Sequence, residues 1–414
     1  MTASKGSQSG DFTEFRCPSC GGEVRFDAAA QKFMCVSCKS VQEIKPPKDT
    51  VEEYDFGSYD AREQGGAALV GVSNATCDNC GGEIYFSAED TAKHCPMCGS
   101  SKIRPAAAVA GIAPEGIVPF KFDKFDAQDR FRKWIVKRWF APNELKKAYS
   151  EGALEGLYVP FWTYDASARG DYIGQGGRVR TVRDREGNVR QVVDWYPVSG
   201  TVFDDFDDIL VCASKSRSGS LVEKVSPYNT VSDINPFAVQ YLAGYVGERY
   251  TIDGKTCFDE ARIGMEQQLR SLAESDILMH GFQQANVSSL HSSYKNVTYK
   301  NVLLPMYSAQ YGYHGEEYYY LINGETGKVA GAYPKSVPKI IGAVILGIIA
   351  LVGLFFLMEK VQSADEGSVY YSLMPQQSIN QTLLTDGVMQ EEYEIGQCGA
   401  NSAEEQELKQ YGLV

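Results

Sequence analysis

Cysteine thiolates are the side chains in this chain best suited to chemistry, because eight of the eleven cysteines recur at one spacing. Each copy of the pattern holds two cysteine pairs, with two residues inside a pair and 14 residues between the pairs. The two copies align without a gap at an offset of 60 residues. Their cysteines are Cys17, Cys20, Cys35 and Cys38 in the first copy, and Cys77, Cys80, Cys95 and Cys98 in the second.

This spacing is typical of a tetrahedral metal site. Two residues between paired cysteines let the chain fold back, and the glycine after Cys20 or Cys80 permits the positive φ of such a turn. Four thiolates about 2.3 Å from the ion close the coordination shell of zinc, so the metal is structural rather than catalytic. The pattern predicts two zinc ribbons, over residues 15–40 and 74–105, each built on a β-hairpin and holding one Zn²⁺. Iron in a rubredoxin-like site is the alternative.

A disulfide framework is the other use of paired cysteines, and it requires an oxidising compartment. The first residues are polar and lack the apolar core of a signal peptide, and residues 1–14 are predicted to be disordered. This favours reduced, metal-bound cysteines. His94 precedes Cys95 and is either a spare ligand or, in the interpretation we favour, a surface residue.

An apolar segment indicates a membrane. Residues 340–358 form an uninterrupted apolar run of 19 residues, which as a helix is about 28 Å long and matches a bilayer core. Lys328, Lys335 and Lys339 precede the run, whereas acidic residues follow it. The positive-inside rule therefore predicts a single-pass cell-membrane protein with cytoplasmic N-terminal domains and a C-terminal tail outside.

The span and the tail carry two further features. Ala343 and Gly347 are a small-residue pair that could let the spans of two copies pack closely in a homo-oligomer. The tail, residues 359–414, has ten acidic residues and two lysines and is predicted to be mostly disordered. Cys398 lies in this tail, either as an idle thiol or as a cross-link between two copies.

The whole chain is predicted to be multidomain: two small β zinc ribbons, a β-rich α+β cytoplasmic domain over residues 117–333, and one transmembrane helix. The 25 tyrosines and 19 phenylalanines support a β-rich core. Residues 41–73 and 106–116 contain proline or glycine between the ribbons and the larger domain, and they are predicted to be linkers.

Two helices are expected in the β-rich domain. Asp126 is predicted to open the first, whose aromatic and basic residues would suit either a sheet or an anionic membrane surface, and we favour packing on a sheet. Its apolar face consists of Phe131, Trp134, Ile135 and Trp139. A second helix is predicted over residues 258–280 from an apolar stripe that is ordinary core.

Strands are expected elsewhere in this domain. Residues 157–164 and 302–309 share an apolar-proline-apolar-aromatic core, which indicates an internal duplication, and each is expected to lead into a glycine turn. Four aspartates flank Phe206 but lack the glycine and terminal glutamate of a calcium loop, so they are interpreted as an acidic loop. Residues 318–322 and Val329 are predicted to be strands that flank a turn.

No catalytic arrangement can be read from the spacing, and the chain is not expected to be an enzyme. Residues 324–329 have too few residues between their glycines for a phosphate loop, and the four histidines are scattered. The net charge of −13 argues against a general nucleic-acid binder. The first ribbon nevertheless offers four basic residues, Arg16, Arg25, Lys32 and Lys39.

The two cysteine repeats, the Val-Pro-Phe-Trp stretch at 159–162 and the turn at 323–327 resemble those of bacterial TFIIB-type zinc-ribbon membrane proteins. The resemblance extends to Met358, and such proteins are often labelled primosomal or phage replication-type. A primosomal helicase needs nucleotide-binding motifs, and this chain has none. Some relatives are similar to the membrane partners of phage-shock-protein-A-like and flotillin-like (SPFH) proteins, which act in envelope stress.

The resemblance implies a membrane-anchored adaptor. In this hypothesis residues 340–358 hold the chain in the lipid bilayer, and the ribbons recruit cytoplasmic proteins of the phage-shock-protein-A-like or SPFH type. The alternative is a membrane-tethered nucleic-acid-binding protein linked to replication or transcription, for which the second ribbon, with mostly acidic residues, is a poor phosphate track.

Overall fold

The structure is a computed structural model that describes residues 16–44, 48–87, 94–144, 154–183, 185, 187–215 and 219–369. Its strands are β1 (Val24–Asp27), β2 (Lys32–Cys35), β3 (Val41–Gln42), β4 (Tyr54–Asp55), β5 (Val72–Cys77), β6 (Glu83–Ser87), β7 (Ile103–Pro105), β8 (Gly116–Ile117), β9 (Glu155–Arg183), β10 (Val189–Cys212), β11 (Asn235–Pro236), β12 (Val246–Glu248), β13 (Gln284–Tyr313), β14 (Glu316–Asn323) and β15 (Val329–Gly331). Its helices are α1 (Tyr59–Gly65), α2 (Lys124–Val136), α3 (Gly219–Val225), α4 (Gly254–Met279) and α5 (Val337–Val369).

Three long strands form the centre of the molecule. Among the described residues, β1, β2 and β3 make one antiparallel sheet, and the other twelve strands share a larger sheet. In the larger sheet β9 lies between β10 and β13, antiparallel to both. This arrangement fits the predicted β-rich domain. Residues 157–164 of β9 are buried on both faces, and from Asp165 to Gln175 burial alternates, so only one face of that part lies in the core.

The two proline-containing segments that suggested a duplication pair with each other. Leu304 lies opposite Val159 and Pro305 lies opposite Tyr158 in the antiparallel register of β13 and β9. All three of Val159, Tyr158 and Leu304 are fully buried. The shared pattern thus reflects two strands that occupy equivalent places in one core.

The glycine turn expected after residues 157–164 is wrong, because β9 continues through its glycines to Arg183. A Cβ atom on Gly176 would lie 2.3 Å from Cγ of Phe282, and one on Gly177 would lie 2.7 Å from a methyl group of Val193. The glycines therefore make room for neighbouring side chains within a strand rather than a turn.

The acidic loop expected around Phe206 is also wrong. Residues 204–208 lie within β10, and the pairing with β9 shifts between Phe206 and Ile209. Asp208 adopts a φ of 52° at this bulge, where its carboxylate meets the buried Lys300. The bulge allows the strand to contain these aspartates, because at the bulge Asp208 forms an ion pair with the buried Lys300.

Both expected helices are present. The carboxylate of Asp123 accepts a hydrogen bond from the Asp126 N–H at 2.9 Å, so α2 begins before Asp126. Phe131 and Ile135 are buried on the sheet side of α2, as expected, whereas Trp139 lies beyond the helix end and is 59% exposed. The stripe predicted for α4 consists of Phe258, Ala261, Met265, Leu269 and Leu272. Ala261, Met265 and Leu269 are buried as predicted, Phe258 and Leu272 are only partly buried, and Ala273 and Ile277 extend the buried face.

The two expected linkers are packed against the larger sheet. In residues 41–73, Tyr59 is 3% exposed and its hydroxyl accepts a hydrogen bond from the Gly254 N–H at 2.8 Å. In residues 106–116, Ile112 is 5% exposed. Buried aromatic and aliphatic side chains hold these segments in place, although their prolines and glycines are typical of linkers.

Helix α5 contains the apolar run. Within α5, residues Val337–Met358 have a mean hydropathy of 3.0, are long and apolar enough to cross a membrane, and are not buried. The helix continues beyond Met358 to Val369, into the tail that was predicted to be mostly disordered. The predictions for residues 1–14, for Cys398 and for the tail from residue 370 lie outside the described residues.

Candidate metal centres

The first cysteine tetrad lies at the base of the β1–β2 hairpin. The Sγ atoms of Cys17 and Cys38 are 3.6 Å apart, and those of Cys20 and Cys35 are 3.5 Å apart. Gly21 adopts a φ of 68°, and its N–H donates to the Cys17 carbonyl at 2.7 Å. The predicted turn glycine therefore closes the first pair, as the spacing indicated.

The second tetrad repeats this geometry. The Sγ atoms of Cys77 and Cys98 are 3.6 Å apart, and those of Cys80 and Cys95 are 3.7 Å apart. Gly81 adopts a φ of 71°, and its N–H donates to the Cys77 carbonyl at 2.8 Å. In both tetrads the four ligand atoms lie within 4.8 Å of one another.

These distances fit a metal bound by four sulfurs. Zinc bonded to thiolates at about 2.3 Å in a tetrahedron requires sulfurs about 3.8 Å apart. The observed separations of 3.5 to 3.7 Å approach this value without disulfide bonds, and all eight cysteines are free thiols. Each tetrad can therefore hold one metal ion, and a tetrahedral set of four sulfurs suits zinc or iron.

Hydrogen bonds lower the pKa of some thiols in each tetrad, Cys17 and Cys38 in the first and Cys98 in the second. A hydrogen bond with the Ser40 hydroxyl, with an Sγ–Oγ distance of 3.0 Å, lowers the pKa of Cys17 to about 6. Burial opposes ionisation of Cys98, but hydrogen bonds, including one from the Asn79 amide at 3.5 Å, lower its pKa to about 7.

A hydrogen bond from the Gly22 N–H favours the Cys20 thiolate, but contact with neighbouring thiols raises the pKa of Cys20, and burial raises that of Cys80 and Cys95. Metals bind thiolates, so each tetrad combines thiols that ionise easily with thiols that must lose a proton when a metal binds.

His94 belongs to neither tetrad. It is exposed, and the group of ligands beside it consists of cysteines alone. The interpretation of His94 as a surface residue is therefore the one that fits the structure.

The first ribbon is a separate small sheet that docks on the large one. The ring of Phe26 lies 5.4 Å from that of Tyr241, measured between centroids, in an edge-on arrangement. The amide of Gln31 donates to the Phe120 carbonyl at 2.7 Å. Cys20 and Cys38, one from each pair, are exposed, so this metal centre faces solvent on one side.

The second ribbon is part of the large sheet. Its strand β6 pairs with β5 and with β12, and β12 runs parallel to the central strand β9. Met97, between the last two cysteines, is 4% exposed and packs in the same core cluster as Leu157 and Leu304. Cys80 and Cys98 are only half-exposed, so this metal centre is a component of the core.

Sequence reasoning missed a second polar cluster on the large sheet. Carboxylate oxygens of Glu53, Asp165 and Asp208 lie within 4.8 Å of one another. Lys300, which is nearly buried, contacts Glu53 and Asp208 at 2.6 Å each. Burial raises the pKa of Asp165 to about 6. The lysine already supplies the positive charge here, and no spacing signal could have linked Glu53 in an expected linker to β9.

The chain is similar to a bacterial protein over most of its length. The chain is 28% identical over 327 residues to the uncharacterized protein YdjG of Bacillus subtilis (strain 168), which covers 79% of this chain and 91% of the relative. No protein-family model matches the chain, and no solved structure matches it. The cysteine tetrads and the apolar helix are therefore the features that indicate function.

Proposed function

We propose that this protein is a membrane-anchored zinc-ribbon adaptor that recruits cytoplasmic proteins to the membrane during envelope stress. The first ribbon carries this proposal, because it is docked on the larger domain through Phe26 and Gln31 while Cys20 and Cys38 of its tetrad stay exposed to solvent. A closed tetrad of thiolates leaves no coordination position for a substrate, so the metal organises a surface rather than a reaction.

The recognition surface is apolar in part. Val36, between the last two cysteines of the first ribbon, is 46% exposed, and Val41 on β3 is 52% exposed. The equivalent loop of the second ribbon holds the buried Met97 instead. Exposed aliphatic side chains on a rigid hairpin are suited to bind another protein.

Three features support a membrane protein with cytoplasmic ribbons. The apolar stretch of α5 is long enough to cross a bilayer, and the lysines before it favour cytoplasmic ribbons. Reduced thiolates also require a reducing compartment. By resemblance, the recruited partners are proteins of the phage-shock-protein-A-like or SPFH type.

Affinity purification of the tagged full-length protein from nuclease-treated, detergent-solubilised membranes tests the proposal. We expect a stoichiometric protein partner that is lost in the double variant Val36→Asp with Val41→Asp. The matched control is Val231→Asp, because Val231 is 73% exposed but lies outside the ribbon. A partner retained by the ribbon variant, or lost equally in the control, would show that the first ribbon is not the docking surface.

A second candidate function is nucleic-acid binding by the same ribbon. Arg16, Arg25, Lys32 and Lys39 are all exposed on it, although Arg25 pairs with Glu23 at 2.6 Å. Such binding would weaken steeply as salt rises, because phosphate contacts release counterions. Salt-sensitive binding of DNA or RNA by the solubilised protein, reduced in Lys32→Gln with Lys39→Gln, would support this function, and no binding at low salt would exclude it.

A further inference from the structure

The end of α2 and the loop after it form a basic and aromatic surface, here termed the α2 surface (residues 130–143). These 14 residues include five arginines and lysines and no acidic residue, in a chain with a net charge of −13. So strong a local excess of positive charge in an acidic protein favours an anionic partner.

The α2 surface has an inner and an outer side. On the inner side, Phe131 and Ile135 are buried and belong to the hydrophobic core. On the outer side Trp139 is 59% exposed. The basic residues Arg132, Lys133 and Lys137 are exposed as well. Lys133 makes an ion pair with Asp129 at 2.6 Å, and both side chains remain accessible to solvent.

Hydrogen bonds tie this surface to the start of the apolar helix. The Ser336 N–H donates to the Phe140 carbonyl at 2.8 Å. The ammonium group of Lys339 donates to the Ala141 carbonyl and to the Asn143 side-chain oxygen, each at 2.7 Å. Ser336 is only about 6 Å of helix from Ile340, where the apolar run begins. The loop that carries Trp139 is thus fastened to the residues just before the membrane span.

We propose that the α2 surface rests on the anionic lipid headgroups of the cytoplasmic leaflet, with Trp139 as its interfacial anchor. The inference rests on the proposed membrane anchoring through α5. The folded domain then contacts the bilayer directly, in addition to its attachment through the membrane span. The ligand is the anionic lipid surface itself, rather than a nucleic acid or a protein.

The chemistry of the outer side matches this occupant. An indole ring suits the headgroup region, because its body is apolar and its N–H is polar. Lysine and arginine near a membrane surface are attracted by the negative potential of anionic lipids within about one Debye length. Ser336 and Lys339 keep the patch within that range, whereas a soluble nucleic acid would have to compete with lipids that are already there.

The test uses the full-length protein reconstituted into vesicles that contain phosphatidylcholine brominated near the headgroup, with or without an equal part of phosphatidylglycerol. Quenching of tryptophan fluorescence reports lipid contact. We expect quenching in phosphatidylglycerol vesicles, reduced to less than about half in Trp139→Phe and in the double variant Lys133→Gln with Lys137→Gln. Without phosphatidylglycerol, the wild type should show the same reduction.

Matched controls separate the outcomes. Trp195→Phe removes a tryptophan that is 42% exposed on β10, and we expect it to leave the quenching unchanged. Unchanged quenching in Trp139→Phe, or loss of the phosphatidylglycerol-dependent signal on adding an oligonucleotide, would overturn the inference. Alkaline extraction tests the anchoring separately: protein released from the vesicles would contradict the proposed function, whereas retained protein without Trp139 contact would contradict only this inference.

Discussion

The two ribbons share one ligand pattern but are supported in different ways. The first forms its own three-stranded sheet and docks on the larger domain, whereas the second contributes β6 to the central sheet. The difference follows from residues at equivalent positions. Arg25 is exposed where Tyr85 is buried, and Ser37 is exposed where Met97 is buried.

Different residues set two properties of each ribbon. The repeated cysteines and glycines specify the cysteine tetrad, because they set sulfur positions and turn geometry in both ribbons. The residues that differ decide how far the module is buried, since a tyrosine and a methionine gain from leaving water and an arginine and a serine do not. The first ribbon is thus available as a recognition surface, whereas the second supports the large sheet.

The largest effect is expected from removing the metal ligands of the second ribbon. Cys77→Ser with Cys80→Ser should unfold β5 and β6 and destabilise the large sheet, because both strands belong to it. Cys17→Ser with Cys20→Ser should unfold only the first ribbon. Thermal unfolding of the two solubilised variants, followed by circular dichroism, measures the difference. Equal melting of the large sheet in both variants would contradict the distinction between the ribbons.

A smaller effect is expected at Met97, which occupies the position in the second ribbon that Ser37 occupies in the first. Met97→Ala should lower the free energy of unfolding of the large sheet by about 3 kcal/mol, because it leaves a cavity in the core. The matched change Ser37→Ala in the first ribbon should alter it by less than about 0.5 kcal/mol. Urea unfolding of both variants checks the prediction, and equal shifts would show that Met97 is not a core residue.

Metal release should also differ between the ribbons. Cys20 and Cys38 are exposed, whereas Cys80 and Cys98 are half-buried. A chelator should therefore remove one equivalent of metal at least about tenfold faster than the second, a difference of about 1.4 kcal/mol in barrier. Stopped-flow absorbance with a chromogenic chelator measures both phases. The fast phase should vanish in Cys17→Ser with Cys20→Ser, and its persistence there would assign it to the other ribbon.

The smallest effect concerns the docking of the first ribbon. Gln31→Ala removes the hydrogen bond to the Phe120 carbonyl and should weaken docking by about 1 kcal/mol, while the metal site stays intact. Hydrogen exchange of β1 and β2 should accelerate about fivefold. Lys32→Ala, at an exposed neighbour, serves as the control. Exchange that is unchanged in Gln31→Ala would show that this bond does not hold the ribbon.

Much of the local structure could be predicted from the sequence. The apolar stripe of α4 and the strands around the turn before Val329 follow from short-range patterns, and the structure contains both. The errors arose where glycine and proline have a tertiary role. Gly176 and Gly177 make space for side chains inside β9, and the expected linkers are held by buried residues such as Tyr59.

The sequence alone specifies the two cysteine tetrads and the apolar run, because ligand spacing, turn glycines and unbroken hydrophobicity act over a few residues. It does not specify that the two proline-containing segments pair across β9 and β13, or that Lys300 meets Asp208 and Glu53. Each of those contacts joins residues more than 90 positions apart in the sequence. Only the packing of the whole sheet decides them, because burial is a property of the surroundings rather than of the residue.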